Sequence, residues 1–223
     1  MAERTWLERE VSVAGERLGY RVWSPGPDPL PPAILFLHGR GESGADNLAQ
    51  LRNGLPRVVS ETPDDWPFLI VAPQKPDFDR LWPTHRDHLN AMLAAVDREF
   101  PSDPARRYLT GLSQGGNGTF VLAPHLEWSF AAVAPVCGWA DPMVTARELG
   151  RTPMWAFHGL ADAIVPPSCT LAIADCMGRW GTRPRLSLYE GVEHNSWDRA
   201  YGEEGPGPDG LATWFLSHRL AVA

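Results

Sequence analysis

Residues 33–37 read Ala-Ile-Leu-Phe-Leu, five apolar side chains in unbroken succession between Pro31-Pro32 and His38-Gly39. So short a run cannot cross a membrane, and so uniform a run cannot lie half in water. It fits a strand covered on both faces, as in a parallel sheet packed between helices. Stretches 68–72, 107–110, 130–136, 154–157 and 186–189 are read as strands as well. Between them the apolar period lengthens: Leu89, Met92, Leu93, Val96 and Phe100 fall at i, i+3, i+4, i+7 and i+11, one face of a helix. Stretches 116–122, 167–180 and 210–220 are read as helices as well. Strands alternating with helices predict an α/β fold with a mostly parallel central sheet and helices on both faces.

Ahead of this pattern, alternating runs at 6–13 and 17–23 flank Ala14-Gly15-Glu16 and predict a β-hairpin within residues 1–23. A proline-rich linker follows at 24–32, and GEEGPGPDG at 202–210 is read as a surface loop. The chain shows neither an internal repeat nor a low-complexity tail, so residues 1–223 are expected to form a single domain. At that length a chain buries roughly 70–75% of its unfolded surface and needs no disulfide or metal to hold a core.

Twenty-seven acidic against twenty basic side chains leave a net charge of −7, which opposes binding to nucleic acid and to anionic lipid. No stretch approaches the ~18 uncharged apolar residues of a membrane span. The opening MAERTWLERE is dense in charge and has no apolar leader core, so a cytoplasmic protein is expected. Cys137, Cys169 and Cys176 form no CxxC pair; Cys169 and Cys176, seven apart in a helical stretch, are read as buried thiols. His85-Arg86-Asp87-His88 reads as the polar start of a helix. No metal or organic cofactor is expected.

In such a sheet, ligands bind at the carboxyl ends of the strands. After the 107–110 strand comes Gly111-Leu112-Ser113-Gln114-Gly115, a G-x-S-x-G between a strand and a helix, where a sharp turn lifts the serine hydroxyl clear of the sheet. Serine needs a base, and that base needs a third group to orient it. Of seven histidines, His194 lies just after the last strand, and Asp162 follows the strand before it. Ser113, Asp162 and His194 then stand in the Ser…Asp…His order that suits this architecture. Asp141, after the 130–136 strand, is a rival acid. An acyl-transfer site also needs backbone N–H donors aimed at the oxyanion. Gln114, after the serine, and Arg40, in the His38-Gly39-Arg40-Gly41-Glu42-Ser43-Gly44 loop, are the candidates, with His38 bracing that loop. Trp82, Trp139 and Trp197 fall at ligand-end positions and are read as an apolar wall for a planar ring. Only 15 residues, 138–152, lie between Val136 and the next strand, which one short helix consumes, so an open pocket with no cap domain is expected.

HGRGESG, GLSQGG, HGLADAIVP and GVEHNSW resemble the motifs of the α/β-hydrolase superfamily, in its phospholipase/carboxylesterase branch, which includes acyl-protein thioesterases. The HGRGESG-ADN loop, GGNGTF, APVCG and HNSW are most similar to the bacterial predicted-peptidase and feruloyl-esterase-like neighbours of that branch. The resemblance implies a serine esterase acting on small-molecule esters with short or aromatic acyl groups. A peptidase, a thioesterase and a non-catalytic binding protein of the same fold are the alternatives.

Overall fold

The computed structural model describes residues 5–26 and 28–221. Pro27 of the linker and residues 1–4, on which part of the leader reading rests, lie outside the described residues. Eight strands join one sheet: β1 (Trp6–Val13), β2 (Glu16–Trp23), β3 (Ala33–Leu37), β4 (Leu69–Gln74), β5 (Arg107–Leu112), β6 (Ala132–Val136), β7 (Trp155–Gly159) and β8 (Arg185–Tyr189), in the order β1-β2-β4-β3-β5-β6-β7-β8. From β4 to β8 all neighbours are parallel, while the hairpin is antiparallel and adds to the β4 edge through β2.

The uniform apolar runs have the reason anticipated. Leu35 and Leu37 of β3 enter one core layer, with α2 (Arg86–Glu99), α3 (Gln114–Leu122), α4 (Pro142–Leu149) and α5 (Ser168–Arg179). Ile34 and Phe36 enter the other, against α1 (Gly54–Glu61) and α6 (Leu211–Leu216). Successive side chains of a strand point to opposite faces, so one sequence run has to satisfy two cores. The helix read from 89 begins one turn earlier, with His85 as its N-cap and Asp87 in its first turn. The helix read over 210–220 ends at Leu216. α1 is absent from the sequence reading although its Leu55, Val58 and Val59 fall at i, i+3 and i+4; its start is set by Asn53, whose side chain accepts from the Gly54 N–H. From 204 to 209 the 202–210 stretch is irregular and mostly at the surface, as a surface loop; its first two residues end a π-helical turn, Asp198–Glu203, and buried Gly205 packs so tightly that a Cβ would stand 1.8 Å from the Tyr201 carbonyl.

Register brings the functional ends level. Leu37 pairs with Gly111 and Gly111 with Pro135, so the residues following β3, β5 and β6 emerge along one rim. Between β6 and β7 the helix is α4. No helix among the described residues is long and apolar enough to cross a membrane.

Candidate active site

Ser113 is the single residue between β5 and α3, at φ 55° and ψ −114°, a backbone conformation that L side chains avoid. The turn closes because its flanks are glycine. A Cβ on Gly115 would stand 1.8 Å from the Leu37 carbonyl, and one on Gly111 2.5 Å from both that carbonyl and the Gly115 carbonyl. The G-x-S-x-G spacing thus lets α3 start directly against β3.

His194, after β8, bonds both ways. Its Nε2 is 3.0 Å from Ser113 Oγ and its Nδ1 2.7 Å from Asp162 Oδ2. Asp162 Oδ1 accepts from the N–H groups of Ile164 and Val165, each at 2.9 Å. Burial alone would raise this carboxyl, but the His194 hydrogen bond and the two backbone donors outweigh it and hold the group below its ordinary value. An ionised Asp162 accepts a hydrogen bond from Nδ1–H, which keeps the ring proton on Nδ1 and leaves Nε2 free to accept from the serine hydroxyl. Burial pushes neighbouring His158 down, so it stays neutral beside Asp162. Asp141 is elsewhere: exposed, it caps α4, with Oδ1 accepting from Val144 N–H at 2.9 Å.

The oxyanion-loop candidates are held from behind. Lys75 N–H donates to His38 Nε2 at 3.1 Å, so the ring proton sits on Nδ1 and is donated to the Gly39 carbonyl at 2.5 Å. Burial drives His38 down to about 3, which keeps this neutral tautomer at all ordinary pH. In a trans peptide the N–H points opposite the C=O, so gripping Gly39 C=O fixes the direction of the Arg40 N–H. Arg40 opens a 3-10 turn (Arg40–Glu42) and Gln114 opens α3. N–H groups in such positions have no partner within their own helix. The Gln114 side chain donates to the Phe78 carbonyl at 3.1 Å.

Ser113, His194, Arg40, Gln114, Trp139 and Trp197 all line one cavity of about 690 Å³. Trp197 lies edge-on to His194, with ring centroids 5.5 Å apart at 89°. Its Nε1–H donates to Asn53 Oδ1 at 2.8 Å, and Asn53 Nδ2 donates to Glu42 Oε1 at 3.1 Å. This brace from the His194 loop to the 38–44 loop joins positions 42, 53 and 197, and no sequence spacing announces it.

Trp82 does not belong to the wall. It is 0% exposed, sits in the core between sheet and helices, and donates from Nε1 to the His38 carbonyl at 2.9 Å. A 3-10 turn, Trp82–His85, swings it inward. The cysteine reading also changes: Cys169 and Cys176 are only half-buried, and Cys169 lines the cavity. Cys137 is the buried thiol, and its Sγ forms with ligating atoms of Asp162 and His194 a group spanning 4.8 Å. Asp162 and His194 are committed to each other there.

No protein-family model matches the chain. Feruloyl esterase B of Neurospora crassa is 25% identical over 214 residues, covering 74% of this chain and 71% of that protein. A thermostable esterase of known structure superimposes with a TM-score of 0.80 at 26% identity over 96% of this chain. The chain spans 63% of that esterase's length. S-formylglutathione hydrolase from Staphylococcus aureus matches end to end, 96% of this chain and 97% of that one, with a TM-score of 0.72. At 15% identity it speaks for the fold alone. The strand order and these likenesses show the α/β-hydrolase fold, with esterases among the proteins that the chain resembles.

Proposed function

We propose that the chain hydrolyses carboxylic esters of small molecules through an acyl-enzyme on Ser113. The observation that carries this is the unbroken hydrogen-bond relay from Ser113 Oγ through His194 to ionised Asp162, at the base of an open cavity. His194 Nε2 takes the hydroxyl proton as Oγ attacks the ester carbonyl. Asp162 orients the ring and stabilises the imidazolium without itself becoming protonated. The N–H groups of Arg40 and Gln114 receive the oxyanion, and preorganised donors of this kind supply a large share of the rate. His194 returns its proton to the leaving alkoxide, and water, activated by the same imidazole, releases the acid. Trp139 and Trp197 with Leu112 and Val165 give the cavity apolar walls, which favours short or aromatic acyl groups. The names of the feruloyl esterase and the thermostable esterase support the reaction class. Labelling by a fluorophosphonate probe, abolished in Ser113→Ala, tests the nucleophile. A panel of matched ester, thioester and amide substrates tests the bond cleaved; a preference for amides would overturn the proposal.

A further inference from the structure

The chain contains one lysine, Lys75; every other strongly basic side chain is arginine. That lysine is 0% exposed. Among the described residues no carboxylate pairs with it within salt-bridge distance. Burying an ammonium without a counter-ion is costly, and a surface role would be served by arginine, as everywhere else in this chain. What Lys75 does hold is the oxyanion loop, at both ends. Its N–H donates to His38 Nε2, its carbonyl accepts from Gly44 N–H at 3.0 Å, and Nζ donates to Ser43 Oγ at 2.7 Å. A further donation from Nζ to the Asp77 carbonyl ties the loop to the segment after β4.

We propose that Lys75 is the positioning residue of the oxyanion loop: its ammonium and its two backbone groups fix residues 38–44 so that the Arg40 N–H meets the acyl oxygen, and the hold weakens when the ammonium loses its proton. The inference rests on the esterase reading above. Charge-assisted hydrogen bonds are about twice as strong as neutral ones, so a neutral amine would keep the contacts to Ser43 and Asp77 but grip less firmly. Burial lowers this amine to about 8, with Arg40 pushing the same way and Asp77, Asp79 and Glu42 opposing. Of the histidines facing it, His38 and His85 are both pushed down, by burial and by the lysine itself. The proton therefore leaves within the range in which such an enzyme is assayed.

Hydrolysis of p-nitrophenyl acetate should show kcat falling through about pH 8 to a lower plateau. Lys75→Met should lower kcat at pH 7 by about 10- to 100-fold, less than the ~10²–10³ of an oxyanion donor removed outright. KM should move little, and the alkaline step should vanish. Ser43→Ala should give a smaller loss, and the double variant should be no worse than Lys75→Met alone. Because the chain has a single lysine, selective ¹⁵Nζ-lysine labelling gives one resonance in wild type. Its titration should coincide with the kcat step, whether or not Lys75→Met folds. A lysine titrating near its ordinary ~10.4, an alkaline step that survives in Lys75→Met, or an unchanged kcat in Ser43→Ala would overturn the assignment in an enzyme that still hydrolyses esters. A wild type that neither hydrolyses the ester nor takes the fluorophosphonate label defeats the esterase reading first, and this inference with it.

Discussion

Trp82→Phe separates a wall of the site from a strut behind it. The substitution removes the Nε1–H that the His38 carbonyl accepts at 2.9 Å, leaving a buried acceptor short of its partner at a cost of about 1–3 kcal/mol. It also empties the space of the missing ring. The neighbours there are Gly118, where even a Cβ would come within 2.9 Å of Trp82 Cβ, and the His38 ring at 4.9 Å; neither can move in to fill it. A void on the order of 40 Å³ at ~24 cal/mol per Å³ adds about 1 kcal/mol. Together these give about 2–4 kcal/mol, which for a domain of this size lowers Tm by roughly 5–15 °C. Differential scanning calorimetry reads the shift, and kcat/KM for matched aliphatic and aromatic esters reads the site. The ratio of the two substrates should be unchanged even as both rates drop with the loosened loop. An unaltered Tm with a selective loss on aromatic esters would refute the inward placement and return Trp82 to the wall.

Ser113→Ala and His194→Ala should each remove nearly all turnover and the double variant should add little, since groups acting as one unit are strongly non-additive; Asp162→Asn should cost about 10⁴ in kcat through the wrong imidazole tautomer, while Asp141→Asn should leave kcat intact. Trp139→Ala and Trp197→Ala should lower kcat/KM for benzoate and ferulate esters more than for acetate, and equal losses on all would remove the aromatic wall. His38, His85 and His158 are all held below their ordinary pKa by burial. The unfolded chain therefore binds more protons below ~6.5, and stability falls as pH drops from there towards 3, by up to about 1.4 kcal/mol per pH unit for each group. Urea unfolding between pH 6.5 and 5 should show this slope, reduced by about one proton in His38→Asn; an unchanged slope would mean that His38 is not held neutral.

Much of the sheet and the Ser113–Asp162–His194 grouping was legible because both depend on local rules. A strand buried on both faces has to be continuously apolar, and a serine turned out of a sheet has to be flanked by glycine. Trp82 shows where such rules stop. Its position after β4 is a ligand-end position, but a four-residue 3-10 turn decides which way the ring faces, and no periodicity encodes that. The Glu42–Asn53–Trp197 brace was illegible for another reason: its members lie on three separate elements, and Asn53 reads locally only as a cap. The half-exposure of Cys169 follows from the open mouth of the cavity, which helix spacing alone cannot reveal.

The backbone at Ser113 has a twin. Gly150, at the end of α4, adopts the same φ 55° and ψ −114°. In one place the chain uses the residue that enters this conformation freely; in the other it forces a serine into it, at a cost of order 1–3 kcal/mol. Ser113 is thus a standing load on the fold, one the molecule carries whether or not substrate is present. Ser113→Gly, unlike Ser113→Ala, would lift that load, giving a protein that is inert and yet more heat-resistant than its parent. A mutational search that rewards thermal stability without an activity screen will tend to discard the hydroxyl, because at this position endurance and reactivity draw on the same two torsion angles.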